Sequence, residues 1–75
     1  MLILEPNGKY KEEAPHEGEE FGFVLHGIVN LNLGDKVYKI RKGESFYFKP
    51  KFNHYISNAG KTEATVIWVS TPPSF

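Results

Sequence analysis

The apolar residues of this chain recur at every second position, and this alternation constrains its fold more than any other feature. The clearest example is IVNLNLGDKVYKIRKG, in which Val29, Leu31 and Leu33 alternate with polar residues. A period of two is typical of a β-strand with one buried face. Gly34 and Asp35 then predict a two-residue hairpin turn of type II′, since that turn takes glycine in its first central position. We find no segment with the period of an amphipathic helix.

Similar strand patterns and turn signals fill the rest of the chain. FGFVLHG alternates in the same way, and turn signals lie at residues 6–8 and 58–60. ATVIWV is a continuous apolar run, which predicts a strand that is buried on both faces or lies at the centre of a sandwich. About five to eight short strands of this kind predict an all-β sandwich or small barrel. The last strand should stop before Pro72, because proline cannot join a central ladder.

Length and composition limit the chain to one domain and narrow the kinds of partner. Seventy-five residues allow a single small core. Cysteine is absent, which excludes disulfides and thiolate metal sites and fits a cytoplasmic protein. Nine basic and nine acidic side chains cancel, so we expect no direct nucleic-acid binding by this chain alone. No run approaches the ~20 apolar residues of a membrane helix, so we expect no membrane association.

The stretch APHEGEEFGFVLHG places histidine and glutamate just before a long strand. His16 and Glu20 can share one metal ion only if the chain turns back between them, because an extended strand would separate them by ~13 Å. Gly18 lies between them and tolerates the backbone angles of such a bend. His26 would lie ~20 Å beyond Glu20 along a strand, so we do not expect it to reach the same ion.

Two spacings in the chain resemble the paired motifs of the cupin superfamily. The resemblance rests on residues of both motifs: Gly8, His16, Glu20, Gly27, Gly43, His54 and Asn58. Cupins are small double-stranded β-helix barrels, or jelly-roll sandwiches. The resemblance therefore implies a fold of the same class that the alternation predicts.

In that family, side chains of the two motifs commonly bind one divalent metal ion. Carried over by position, the ligands here would be His16, Glu20 and His54, while Ala14 occupies the position of a further histidine. Two imidazoles and one carboxylate suit Fe(II), Mn(II), Ni(II) or Zn(II). The alternative is that these residues are polar groups of a pocket that binds no metal.

Aromatic residues near the motifs suggest a ligand pocket. Small barrels can hold one small ligand, and a mouth lined by aromatic and a few polar groups is a common binding site. We predict Phe23, Phe48, Tyr55 and Trp68 as walls of this pocket or as the core behind it. The alternative is that large aromatic side chains fill the barrel entirely.

A closer similarity concerns a class of transcriptional regulators. HEGEEFGFVLHG, GESFYF and VIWVSTPPSF look like the C-terminal cupin of bacterial and archaeal regulators that carry an XRE-type helix-turn-helix before it. This resemblance implies a module that senses a small molecule and dimerises. The alternatives are a small metal-dependent cupin enzyme of the dioxygenase, isomerase or decarboxylase kind, and a purely structural dimerisation domain.

The first motif begins only a few residues after Met1. We therefore expect residues 1–75 to be one cupin domain, either a natural stand-alone relative or a fragment of a longer regulator. A missing leading strand would expose a sheet edge that can pair with another chain. This predicts a homodimer, formed by edge pairing or by face-to-face packing of one sheet.

Overall fold

The computed structural model describes residues 1–10 and 12–71, and its regular structure consists of β-strands. The strands, in chain order, are β1 (Leu2–Leu4), β2 (Glu19–His26), β3 (Ile28–Leu33), β4 (Lys36–Arg41), β5 (Ser45–Phe48), β6 (His54–Asn58) and β7 (Ala64–Thr71). The predicted all-β class is confirmed. Within the described residues, there is no helix of the length and apolarity needed to cross a membrane.

The β3–β4 hairpin forms where the alternation predicted it. Leu33 pairs with Lys36, which leaves Gly34 and Asp35 as the two loop residues. Gly34 has a φ of 61°, whereas Asp35 is outside the positive-φ region. Only the first central residue therefore needs a left-handed backbone, as in a type II′ turn and unlike type I′.

Two antiparallel sheets pack against each other as a jelly-roll sandwich. One has four strands in the order β1-β7-β2-β5, and the other has three in the order β4-β3-β6. Strand alternation turns one face of each sheet inward, where the core residues meet: Leu4, Val24, Val29, Leu31, Phe46, Phe48, Ile56, Ala64 and Val66. Burying each large side chain of this kind contributes about 1.5–3 kcal/mol. The jelly-roll fold implied by the resemblance is confirmed.

Position 22 requires glycine because an aromatic ring packs against it, and not because the backbone turns there. It lies opposite Phe46 in the β2–β5 ladder. A Cβ atom added at Gly22 would come within 2.1 Å of the Phe46 ring. The absence of a side chain at this position lets the far end of the Phe46 ring lie against β2 inside the sandwich.

Strand β7 is internal in its sheet but is covered on one face only. Val66 is fully buried, whereas Ile67 and Val69 are 38% and 47% exposed. The prediction of a central position is confirmed. The alternative of burial on both faces is wrong, because no other layer covers the outer face of this sheet among the described residues. The strand ends at Thr71, and residues 72–75, with the two prolines, lie outside the described residues.

Asn58, the last residue of the second motif, ties together three parts of the backbone. Its Nδ2 donates to the carbonyl oxygens of Leu4 at 3.0 Å and Thr62 at 2.8 Å, and its Oδ1 accepts from the Gly60 N–H at 2.8 Å. The side chain is 5% exposed, so each bond replaces one to water. Asn58 therefore fixes the turn before β7 and joins it to β1.

Candidate metal centre and pocket

The candidate site combines a short irregular segment with strands of both sheets. Residues 12–16, called the arm below, run along the outer edge of β6. Glu13 and His54 form an antiparallel bridge in which each N–H donates to the other's carbonyl, at 2.9 and 3.0 Å. The N–H of His16 donates to the carbonyl of Pro50 at 2.9 Å. These bonds place Glu13 and His16 beside His54.

The chain turns back between His16 and Glu20, as the metal hypothesis requires. Gly18 has a φ of 111° in this bend, a backbone region that favours glycine. The bend brings His16 Nε2 to 3.0 Å from Glu20 Oε2. Residues that an extended strand would hold far apart are therefore in direct contact.

Glu20 is a buried carboxyl group with one oxygen bound and one free. The side chain is 1% exposed. Trp68 Nε1 and Ser70 Oγ both donate to its Oε1, at 2.5 Å each. Its Oε2 has no hydrogen-bond partner within the described residues. Desolvating an unpaired carboxylate oxygen is costly. A metal ion or a hydrogen-bond donor from outside the described chain would remove this cost.

Both histidines turn a lone pair into the site. His54 Nδ1 lies 3.0 Å from the Phe52 carbonyl, and His16 Nδ1 lies 2.9 Å from the Glu17 carbonyl. A carbonyl only accepts, so in each neutral ring the proton is on Nδ1 and Nε2 carries the lone pair. This carbonyl partner for the second nitrogen is the usual support of a metal-binding histidine. His54 Nε2 is buried and, like Glu20 Oε2, without a partner in the described chain.

The contact between His16 and Glu20 has the length of an ion pair but not the orientation of a hydrogen bond. His16 Nε2 is 3.0 Å from Glu20 Oε2, yet that oxygen still lacks a hydrogen-bond donor. When His16 is neutral and its Nδ1 donates to the carbonyl, its Nε2 and a carboxylate Oε2 of Glu20 are two acceptor atoms that face each other. Two such atoms repel unless a positive charge lies between them.

Glu13 joins the two histidines in a second, overlapping group. One ligand atom each from Glu13, His16 and His54 lies within 4.8 Å of the other two. The imidazole rings of His16 and His54 have centroids 5.3 Å apart. His16 belongs to both sets of residues: it contacts Glu20, and it also groups with Glu13 and His54.

The donor set fits a divalent transition metal. Nitrogen and oxygen ligands bind such ions at about 2.0–2.2 Å, so donor atoms around one ion are ~3–4 Å apart. The 3.0 Å contact between His16 and Glu20 already has the spacing of neighbouring ligands. The Glu13 group is slightly wider than this, since its ligand atoms lie within 4.8 Å of one another.

Two of the four predicted pocket residues lie beside this donor set. Phe48 and His54 have ring centroids 5.3 Å apart, and Phe48 and Trp68 have centroids 6.3 Å apart. Trp68 also contacts Phe46 and Tyr10, at 5.2 and 6.1 Å between centroids. An aromatic wall therefore borders the acidic and imidazole groups.

Cavities open on both sides of the donor set. One of about 350 Å³ is lined by Met1, Leu2, Tyr10, Glu13, Trp68 and Ser70. The other, a shallower groove of about 480 Å³, is lined by His16, Glu17, Gly18, Glu19, Lys49, Pro50 and Lys51. The first contains Glu13 and the second His16, so a small molecule in either cavity would border the candidate metal ligands.

The other two predicted pocket residues are not brought to this place. Phe23 lies on the face of β2 opposite to that of Glu20, because side chains alternate along a strand. Tyr55 lies on the outer face of β6, where the Lys9 ammonium group is 4.1 Å from its ring centroid. His26, which was not expected to be a ligand, is exposed at the end of β2.

Sequence reasoning missed Glu13 and Tyr10. Both lie in a polar stretch without strand periodicity, YKEEAPHE, and alternation gives no signal there. Glu13 enters the site because its backbone bridges to His54, a pairing between residues 41 positions apart. One signal was available: Glu13 directly precedes Ala14, the position where the motif lacks its histidine.

Comparison with known proteins identifies the family. Residues 1–70 match the Cupin_2 family model, described as a cupin domain. The chain belongs to the cupin family. This cupin spans less than half of the length of the curated relatives that it matches.

The relatives include transcriptional regulators and an oxidase. The HTH-type transcriptional regulator PuuR of Escherichia coli is 30% identical over 71 residues, which cover 95% of this cupin and 38% of PuuR. The cupin domain of an XRE family regulator from Enterobacter cloacae superposes with a TM-score of 0.82 at 19% identity, covering 96% of this chain and 77% of that one. A recombinant oxalate oxidase in complex with glycolate gives a TM-score of 0.73 at 28% identity, covering 88% and 37%.

Proposed function

We propose that this cupin is a sensory module of the transcriptional-regulator type, which binds a small molecule beside a divalent metal ion. The ligands of the ion are His16, Glu20 and His54, and Glu13 supplies a further carboxylate where Ala14 replaces the usual histidine. Fe(II), Mn(II), Ni(II) and Zn(II) all suit such donors. The two cavities that border the ligands would receive the small molecule.

The observation that carries this proposal is the pair of buried acceptor atoms without partners. Glu20 Oε2 and His54 Nε2 have no donor within the described residues, and both side chains are 1% exposed. A buried acceptor that lacks a partner costs about 1–3 kcal/mol. Two buried acceptors that lack partners in the described chain favour a site that an added group fills.

Each residue has a separate part in this proposal. Trp68 and Ser70 hold Glu20 Oε1, so Oε2 is turned toward the ion. The carbonyls of Phe52 and Glu17 orient His54 and His16. When bound, the metal supplies a Lewis-acidic centre to which a carboxylate, carbonyl or hydroxyl of the sensed molecule can attach.

The regulatory part of the proposal rests on the relatives. PuuR is similar over 95% of this chain, and the regulator cupin from Enterobacter cloacae shares its fold. A sensed molecule changes a regulator only if it binds one arrangement of the protein more tightly than another. The arm is the part of the site whose position ligand binding can alter, because it belongs to neither sheet.

The first test measures metal binding by isothermal titration calorimetry. Zn(II), Mn(II), Ni(II) or anaerobic Fe(II) is titrated into the apoprotein. We expect one ion per chain. His16→Ala and His54→Leu should each weaken binding by at least about 100-fold, since both remove a direct ligand. His26→Ala is the matched control and should bind as the wild type does. Equal binding by all three variants would refute the site.

The second test concerns the small molecule. Thermal melting of the metal-loaded protein against a library of metabolites should identify compounds that raise the melting temperature. A compound that acts on the loaded protein, but not on the apoprotein or on His54→Leu, would place its binding site at the metal. If the protein binds metal but no compound raises its melting temperature, the metal site is supported and the sensor function is rejected.

A metal-dependent enzyme is the second candidate function. It is favoured by the 28% identity to an oxalate oxidase across 88% of this chain and by the open groove beside His16. Turnover of small hydroxy acids or dicarboxylates by the loaded protein, abolished in His54→Leu, would support it. Stable binding of such a compound without turnover would favour the sensor.

A further inference from the structure

The two edges of the three-stranded sheet differ, because one is covered and the other is open. Beside β6, the Tyr10 N–H donates to the Ile56 carbonyl at 2.9 Å, and the backbones of Glu13 and His54 bridge. Beside β4, no segment of the described chain pairs with the strand on its outer side. With six residues, β4 is also longer than the other edge strands, β1 with three and β5 with four. It is therefore the longest open strand edge among the described residues, and it is called the β4 edge below.

The hydrogen bonds of Arg41 show which backbone groups of β4 face this edge. Its N–H donates to Glu44 Oε1 at 2.7 Å, and its carbonyl accepts from the Glu44 N–H at 2.9 Å. Neither group is therefore bonded to β3. Bonded and non-bonded pairs alternate along an antiparallel ladder, so the register turns the N–H and carbonyl of Val37 and of Lys39 outward as well. Glu44 caps the end of the edge, and the outward groups of Val37 and Lys39 have no partner within the described residues.

The side chains along the β4 edge are basic and exposed. The cations, in chain order, are Lys36, Lys39, Arg41 and Lys42. None of them is in an ion pair with another described residue. The carboxylates nearest in sequence, Asp35 and Glu44, lie beyond the two ends of the strand, so the edge keeps a net positive charge. Among the cations, Val37 and Tyr38 are 59% and 45% exposed.

We propose that the β4 edge binds an extended acidic segment of another protein, which joins the three-stranded sheet as an added strand. The outward backbone groups of Val37 and Lys39 supply the hydrogen bonds, as in other sheets that a peptide extends. Acidic side chains of the segment lie beside Lys39 and Arg41, since opposite charges on adjacent strands stabilise a sheet. Apolar side chains at its alternate positions lie beside Tyr38 on the other face.

The same charges oppose a second copy of β4 as the occupant. Two copies of this edge would bring like charges opposite each other, which destabilises a pair of strands. Lysine on an edge strand is a common protection against such self-pairing. An acidic strand removes the repulsion, so the charge that blocks a copy of the chain selects a partner of opposite sign.

The test is an NMR titration of the isotope-labelled apoprotein with a synthetic peptide that alternates glutamate and valine over about seven residues. Alternation places its glutamates on the face of Lys39 and Arg41, and its valines on the face of Tyr38. We expect a dissociation constant of about 10–1,000 µM, with the largest amide shifts at Val37 and Lys39. A peptide that alternates lysine and valine is the charge control and should not bind.

Two variants separate backbone pairing from charge. Val37→Pro removes an outward N–H and keeps every charge, and an edge strand tolerates proline where the N–H faces away from the ladder. It should weaken binding by about 3–10-fold, the effect of one hydrogen bond. Lys39→Glu should weaken binding at least about 10-fold. Lys61→Glu, at an exposed position in the turn before β7, is the matched charge control and should bind as the wild type does. If Val37→Pro does not fold, slower hydrogen exchange of the Val37 and Lys39 amides in the wild type with peptide tests the same pairing.

Absence of binding by the acidic peptide would overturn the proposal. So would equal binding by Val37→Pro and the wild type, because charge alone would then hold the peptide. A single-stranded oligonucleotide that binds more tightly than the peptide, and that only Lys39→Glu weakens, would identify a phosphate-binding surface instead. All titrations contain EDTA, since the β4 edge includes no candidate metal ligand. Their outcome is therefore independent of the proposed function.

Discussion

Trp68 donates the hydrogen of its indole Nε1 to Oε1 of Glu20. One residue of the aromatic wall thus holds one proposed metal ligand, across the β2–β7 ladder. Since Trp68 is the only tryptophan of the chain, its fluorescence reports directly on the site. Paramagnetic Mn(II) or Ni(II) should quench this fluorescence on binding, and the loss should follow the calorimetric titration.

Glu20→Gln should raise the stability of the apoprotein while removing metal affinity. The amide oxygen can still accept from Trp68 and Ser70, and the neutral amide removes the unpaired carboxylate oxygen that lies 3.0 Å from His16 Nε2. We expect a gain of about 1 kcal/mol, or a melting temperature higher by roughly 4–8 °C, and metal binding at least about 100-fold weaker. Thermal melts with and without Zn(II) measure both effects. Glu17→Gln is the control, and a destabilised Glu20→Gln apoprotein would contradict the account of the free oxygen.

Glu13→Gln should weaken metal binding by about 10-fold or more and leave folding unchanged. The substitution keeps the backbone bridge to His54 and removes only the negative charge of the ligand. Glu12→Gln is the matched control, because Glu12 is an exposed neighbour whose carboxylate lies near Lys9 at 3.9 Å. Equal affinities of the two variants would show that Glu13 has no part in the site.

Gly22→Ala should destabilise the domain by about 1–3 kcal/mol, because overpacking a closed core displaces its neighbours. The added methyl group would come within 2.1 Å of the Phe46 ring. Urea unfolding measures the loss. The double variant Gly22→Ala with Phe46→Leu should show an unfolding free energy higher than the sum of the single effects predicts. Purely additive losses would indicate that the cost comes from backbone conformation and not from this contact.

Tyr47 should ionise at a higher pH than an ordinary tyrosine side chain. The hydrogen bond to Glu19, followed by burial and the charge of that carboxylate, raises the pKa of Tyr47 above its usual value of 10.0. The folded state therefore holds the proton more tightly than the unfolded state does. The resulting stabilisation is complete below pH 10.0 and is lost as the pH rises through the folded-state pKa. Ultraviolet titration of tyrosinate should show a late component in the wild type and none in Tyr47→Phe. Glu19→Gln should shift that component to lower pH, and an unchanged profile in both variants would exclude the assignment.

The strands were predictable from sequence because alternation reports directly on one buried face. The β3–β4 hairpin and the bend at Gly18 needed only local information, namely a turn type and a distance that an extended chain cannot satisfy. The cupin spacing predicted His16, Glu20 and His54 as metal ligands. The fold places His16 beside Glu20 and beside His54, and metal binding by these residues stays a prediction.

Sequence reasoning failed where the outcome depended on which face of a strand turned inward. Phe23 and Tyr55 were expected to line the pocket, but an aromatic residue suits either face of a strand, and the register places both outward. Glu13 was missed because its position depends on a backbone bridge to a residue far along the chain. Local patterns carry no information about such a pairing.

Division of the donor set between the arm and the strands would give the proposed metal site an adjustable affinity. Glu20 and His54 belong to strands of the sandwich, whereas Glu13 and His16 would contribute to the site only while the arm is docked on β6. The apparent dissociation constant of a bound ion would then equal the intrinsic constant divided by the docked fraction of the arm. If the arm is docked a tenth of the time, the ion binds ten times more weakly. Substitutions in the arm or partners that contact it can thus tune metal occupancy without any change to the barrel.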